Sequence, residues 1–292
     1  LCHNPVIEGD PTACGEVGTR RRMGDLRYST LHWVDIATLE GIGGFSGLQH
    51  VGLRRNFTST LDICLLAALP KLNRLLLYGP VIDLEPLRDN TRITAFHLEG
   101  ECCDFEPLSA EEVSVLQSMT GLTELTFRWR PSPLPDFSAL TQLEKLSVQG
   151  PRDISNADLL PRSLRRLSFF NNFGLNDFTP LSSLTQLEQL SLVNIVTASD
   201  QLSAVSGLEN LRWLEIIWAG DNLTSLDALI SADESVTPFP HLETLLLYRN
   251  EITDYSLLSR LPSLVTLDVH SNGITDLSVL PALPALRELR LG

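Results

Sequence analysis

Apolar residues recur along this chain in a fixed phrase, L-x-x-L-x-L, and not at the spacing of a long helix. From residue 264 the phrase and its continuation read Leu264, Leu267, Val269, Asn272, Ile274, Leu277, Leu280 and Leu283. The same series stands one 22-residue step earlier, at Leu242, Leu245, Leu247, Asn250, Ile252, Tyr255, Leu258 and Leu261. The phrase or a close variant also opens at Leu48, Leu72, Ile93, Leu122, Leu143, Leu164, Leu187 and Leu211, and once more at Leu286, in steps of 21 to 31 residues. Such a period predicts a stack of like coils. Strand alternation puts Leu267 and Val269 on one side and Thr266, Asp268 and His270 on the other. The three-residue spacing of Ile274, Leu277, Leu280 and Leu283 suits a 3₁₀-like return, which Asp254 and Asp276 are placed to cap. One coil cannot bury its own apolar face, so stacking is expected to build a continuous core and a parallel sheet.

These phrases resemble the leucine-rich repeat family, in its 22-residue class as in bacterial internalins and phosphatase-regulatory-subunit-type repeats. The resemblance implies an α/β solenoid with a concave parallel β-sheet and a convex face of short 3₁₀/α turns and loops. Residues 26–292 are expected to form it, truncated at the C-terminal end, with Leu26 to Gly47 a degenerate first turn and residues 1–25 an irregular N-terminal cap or lead-in. The family's corner asparagine, whose side chain bonds the backbone where strand becomes turn, appears as Asn56, Asn172, Asn250 and Asn272. Pro80, Glu101, Arg130, Pro151 and Ala219 occupy that place elsewhere, so those corners need another partner.

Two steps are long. That from Ile93 to Leu122 contains Cys102-Cys103 and Glu111-Glu112, and that from Leu211 to Leu242 contains residues 231–240; both are expected as loops. Gly41 to Gly47 only approximates a dinucleotide loop or a nucleophile elbow and is read as a turn into the strand after Leu48. No phosphate loop, His-Glu-x-x-His or Cys-x-x-Cys occurs, so no catalytic residue, metal site or cofactor is assigned.

The positions left free by the repeat are those projecting from the concave face. The column after the second strand leucine reads Arg54, Tyr78, Glu99, Arg128, Gln149, Phe170, Val193, Ile217, Tyr248 and His270. Phe170, Val193, Ile217 and Tyr248 are consecutive, and Trp213, Trp218 and Leu246 flank them. This aromatic strip is the expected protein-binding site. A secondary polar site is expected at Arg54, Arg74, Arg128, Lys145 and Arg166.

Composition narrows the partner. The 292 residues carry 22 basic against 36 acidic side chains, a net charge of -14, which argues against nucleic acid because phosphate neutralisation needs surplus cations. No apolar run approaches the roughly 18 to 20 residues that span a bilayer, so membrane insertion is not expected. Leu1 is not an initiator Met and Leu291-Gly292 reads as mid-strand, so the chain is read as a monomeric module of a longer protein. Five cysteines leave one over in a monomer. With Cys103 read as a small core residue and Cys2 and Cys14 as an optional staple, the count leans toward a reducing, cytoplasmic interior, a cell-surface or secreted setting staying open. The function expected is non-enzymatic binding of a protein or peptide ligand. The alternative is the sensing region of a larger intracellular signalling or defence ATPase.

Overall fold

The computed structural model describes residues 28–31, 39–54, 63–78, 83–99, 108–128, 134–150, 154–173, 177–196, 199–219, 223–227, 229–230 and 237–292. The chain divides into two compact units, Leu1–Phe127 and Arg128–Gly292. The first holds β1 (Tyr28–Leu31), β2 (His50–Arg54), β3 (Arg74–Tyr78), β4 (Ala95–Glu99) and β5 (Glu124–Arg128), whose last residue falls to the second unit. The second holds β6 (Lys145–Gln149), β7 (Arg166–Phe173), β8 (Gln189–Val196), β9 (Trp213–Ile217), β10 (Thr244–Leu246), β11 (Thr266–Asp268) and β12 (Glu288–Arg290). Within each unit every strand pairs in parallel with the next in sequence. This is the expected α/β repeat fold.

Every strand begins two residues after its apolar phrase opens: Leu72 leads to Arg74, Leu143 to Lys145 and Leu264 to Thr266. Even β1 follows Leu26 by the same step. A shared backbone motif accounts for the regularity. The carbonyl just before a strand accepts two N–H groups of the next coil: Glu188 O takes Arg212 N (2.8 Å) and Trp213 N (3.1 Å), and Glu243 O takes Val265 N (2.8 Å) and Thr266 N (2.9 Å). The phrase leucines Leu75, Leu125, Leu146, Leu190 and Leu267 are all fully buried. Each coil therefore enters the sheet where its leucine enters the core, and register follows.

The returns are 3₁₀ turns at Glu85–Leu87, Ala157–Leu159, Thr179–Ser183, Ser199–Gly207, Ser256–Arg260 and Leu277–Val279, with a short helix α1 at Cys64–Ala67. The long step after Ile93 differs from the expected loop. It contains the helix α2, Ala110–Ser118, opened by a capping box in which Ser109 and Glu112 satisfy each other's backbone N–H. Glu111 and Glu112 are its first-turn acids, favourable at a helix N-terminus. In the step after Leu211, Ser225 bridges to Asp254, and 231–236 lie outside the described residues. Gly41 to Gly47 forms a 3₁₀ turn, Ile42–Gly44, leading into β2.

Capping is wider than the sequence suggested. Asp83, Asp136, Asp177, Asp254 and Asp276 each accept the backbone N–H two residues on, at 2.9 Å in all five. The Ser138 hydroxyl and backbone hold the Asp136 carboxyl below the usual aspartate range, and the backbone and hydroxyl of Ser256 and Ser278 do the same for Asp254 and Asp276.

Two corner asparagines are seen at work, and both are buried. Asn250 donates to Ile216 O (2.8 Å) and Leu247 O (2.7 Å) and accepts from Ala219 N (2.9 Å). Asn272 donates to Leu247 O and Val269 O, each at 2.9 Å, and accepts from Ile252 N (3.2 Å). The corner at Ala219, which lacks an asparagine, is thus served by the next coil's. Pro80, Glu101, Arg130, Pro151, Asn56 and the Asn172 side chain lie outside the described residues, as do Cys2, Cys14, Cys102 and Cys103. Cys64 is disulfide-bonded, which weighs against the lean toward a reducing interior.

Replacing Asn250 or Asn272 by Ala leaves buried backbone groups unmet and should each cost about 3 kcal/mol in urea denaturation; a loss under ~1 kcal/mol would show that water substitutes. The capping aspartates make a second prediction. Their lowered folded pKa means that their stabilisation is full above the ordinary aspartate value and disappears as pH falls through the folded value. A variant with Asp136, Asp254 and Asp276 all changed to Asn should melt below the native chain at neutral pH, and the gap should close below about pH 4. A gap that holds constant across the titration would count against the caps.

Candidate binding face

Strand alternation leaves one face of the second unit's sheet to side chains that the core does not claim, and parallel register arranges them in columns about 4.8 Å apart. The first column runs Lys145, Arg166, Gln189, Trp213, Thr244 and Thr266; the middle one runs through Ser191, Glu215, Leu246 and Asp268; the third runs Gln149, Phe170, Val193 and Ile217. Tyr248 and His270 continue the third column just beyond β10 and β11, their rings stacked at 4.4 Å and 13°. The predicted strip is therefore contiguous. Phe170, Val193, Trp213, Leu246 and Tyr248 are half-buried, and Trp218 is 55% exposed. Ile217 is a correction: it is only 6% exposed, because in mid-column, beside Val193, it is roofed by its neighbours. It supports the strip without offering contact area.

A fourth column was invisible to the pattern of leucines. The residue following the third column has positive φ, at Gly150 (87°), Asn171 (55°), Asn194 (55°), Trp218 (54°), Arg249 (57°) and Ser271 (57°); it ends or follows the strand except in β7 and β8, which resume pairing beyond it at Asn172 and Ile195. Glycine and asparagine tolerate this region and a bulky aromatic does not. Asn194 Nδ2 donates to Asn171 Oδ1 at 2.9 Å, and the Arg249 guanidinium lies 6.0 Å from the centre of the Trp218 ring. Trp218 thus holds an indole in solvent on strained backbone, a combination that clusters at binding sites. The signal available in the sequence was positional: Gly150, Asn171 and Asn194 share one place in their repeats.

Charged groups divide into matched and unmatched. Asp268 is buried; its Oδ1 lies 2.6 Å from His270 Nδ1 and its Oδ2 3.7 Å from Arg290 Nη1. Glu215 has the Ser191 hydroxyl, which donates to its Oε2 at 2.5 Å. Burial pushes the Glu215 carboxyl above the usual range against that hydrogen bond, and burial followed by the fields of Glu215 and Asp268 raises the Tyr248 hydroxyl. In the middle column the apolar pattern singles out Leu246 alone, so nothing in it marks Glu215.

Of the expected polar site, Arg54 and Arg74 lie in the first unit and Arg128, Lys145 and Arg166 in the second. Arg74, in the first unit, is engaged: its Nη2 lies 3.1 Å from Glu124 Oε2 and 3.5 Å from His97 Nε2, and His97 is itself 3.1 Å from Glu124 Oε1. That pairing withdraws Arg74 from an outside acid and corrects the expectation. Burial and then the Arg74 charge lower the pKa of His50, opposite it in register. In the second unit Arg166 is exposed and Arg128 and Lys145 are half-buried; the Arg54 side chain lies outside the described residues. Among the described residues no group of three His, Cys, Asp or Glu is placed to hold a metal ion, and no helix is long and apolar enough to cross a membrane.

A family model for leucine-rich repeats, in two copies, matches residues 240–282, the stretch that includes both described corner asparagines. Residues 240–282 thus read as leucine-rich repeats. Among solved structures, the chain is similar to an internalin from Listeria monocytogenes, at 24% identity over 91% of this chain and 87% of that one, with a TM-score of 0.55. A leucine-rich repeat protein from Leptospira interrogans is 22% identical over 86% of this chain and 62% of its own, with a TM-score of 0.54. TLR13, solved as a complex with ssRNA13, is 20% identical over 85% and 44%, with a TM-score of 0.50. At these identities the likeness is one of fold. No curated protein matches in sequence.

Changing Trp218 to Asn, the residue used at two other places in its column, should relieve the left-handed strain and raise stability by about 1 kcal/mol in urea denaturation. A loss of stability would show that the ring's contacts outweigh the strain.

Proposed function

We propose that this chain is a non-enzymatic recognition module that holds a protein or peptide partner on the concave face of its leucine-rich repeat sheet. The fold supports a protein-interaction module in general. The observation that carries the finer reading is the contiguous strip of Phe170, Val193, Trp213, Trp218, Leu246 and Tyr248, half-buried or exposed on a surface that the core leaves free. Aromatic anchors of this kind dominate protein interfaces, and presenting them from a regular sheet limits the ordering cost of binding. In this reading the partner sets apolar side chains on Trp213, Trp218 and Tyr248 and acidic groups toward Arg128 and Arg166, with Lys145 beside them. The surplus of acid over base, -14 overall, favours protein over nucleic acid as the ligand.

The double variant Trp213→Ala, Trp218→Ala should weaken capture of a peptide selected on the native chain by about 2 kcal/mol or more. Circular dichroism would establish that the variant is folded, and unchanged affinity in folded material would remove the strip as the binding site.

A further inference from the structure

We propose that Trp213, Glu215 and Tyr248 form a seat for a basic side chain, lysine or arginine, of the protein partner. The inference rests on the reading of this face as a protein-binding surface and adds what the partner must bring to it. Register fixes the juxtaposition. Glu215 lies between Ser191 on β8 and Leu246 on β10, and Trp213 precedes it by two residues on the same side of β9. Tyr248 follows Leu246 by two residues, so it stands on the same side of the next strand. With one ring face stacked on His270, Tyr248 turns its other face toward β9.

Four other acids around the second unit's sheet are matched by cations of the chain itself: Glu188 by Arg165, Glu243 by Arg212, Glu288 by Arg290, and Asp268 by His270 and Arg290. Glu215 differs. Among the described residues its hydrogen-bond partner is the Ser191 hydroxyl alone, which supplies one donor and no positive charge. A half-buried carboxylate without a counter-charge is held at a cost, seen here in its raised pKa and in the raised pKa of Tyr248 beside it. An incoming ammonium or guanidinium relieves both. The walls suit the rest of such a side chain: Leu246 and Trp213 offer apolar surface for the alkyl stem, and indole and phenol faces attract the cationic head. Arg249 against Trp218 is an internal example on the same surface. A metal ion fits less well, because no cluster of three ligating side chains occurs among the described residues.

The test is selection of a displayed random-peptide library on the folded chain, followed by affinity measurement on Glu215→Gln and Trp213→Ala, with thermal melts to establish that each variant is folded. Selected peptides are expected to carry a Lys or Arg whose replacement by norleucine weakens binding about tenfold. On Glu215→Gln that replacement should have no further effect. Peptides without a basic residue, or basic peptides indifferent to Glu215→Gln, overturn the seat; if they still lose binding on Trp213→Ala, the protein-binding reading survives. Selected peptides that ignore Trp213→Ala, or a selection that enriches nothing, overturn both.

Discussion

A coil of some 22 residues cannot bury its own apolar face, and every other feature of this chain answers to that constraint. The leucines of one coil are covered by those of its neighbours, so coils are stable only in a stack. Stacking in turn demands a common register. The carbonyl that takes two N–H groups from the next coil, repeated at Glu188, Arg212 and Glu243, supplies it at the point where the chain enters the sheet. The outer returns then have only to close the loop, and they differ freely: a 3₁₀ turn at Ser256–Arg260, a capped helix at Ala110–Ser118.

That division explains what could be read from the sequence. Leucine spacing placed each strand from β2 to β12, because the apolar phrase and the strand entry are one event. It also placed the columns of the open face, since a two-residue alternation leaves no freedom once a strand is fixed. It could not supply accessibility. Ile217 and Tyr248 are equivalent by pattern, yet the first is buried and the second is not, because exposure depends on the sizes of the neighbours on two adjoining coils. Nor could it supply pairing: Arg74 looks available until Glu124, fifty positions away in the chain, arrives two strands over. The helix after Ser109 was hidden for a different reason. Its signature, Ser109 with Glu112, is local and stands outside the repeat period.

The face and the core also obey different rules. In the core the buried corner asparagines Asn250 and Asn272 bond the backbone through both amide nitrogen and oxygen. On the face, Glu215 is under-matched and Trp218 is strained, and the surrounding sheet is regular enough to hold both. Groups kept in unfavourable states by a rigid frame are those on which a second molecule can act, because it relieves a cost already present.

The corner asparagines carry a consequence for how such a chain can change over time. Asn250 satisfies the amide of Ala219 and the carbonyl of Ile216, both in the coil before its own. Asn272 reaches back to Leu247 and Ile252 in the same way. A coil is therefore not a self-sufficient brick. What a coil needs is any successor that brings an asparagine to its corner, so the coils at Asn250 and Asn272 could be exchanged or repeated without leaving a backbone group unmet, whereas a coil placed last has no successor to complete it.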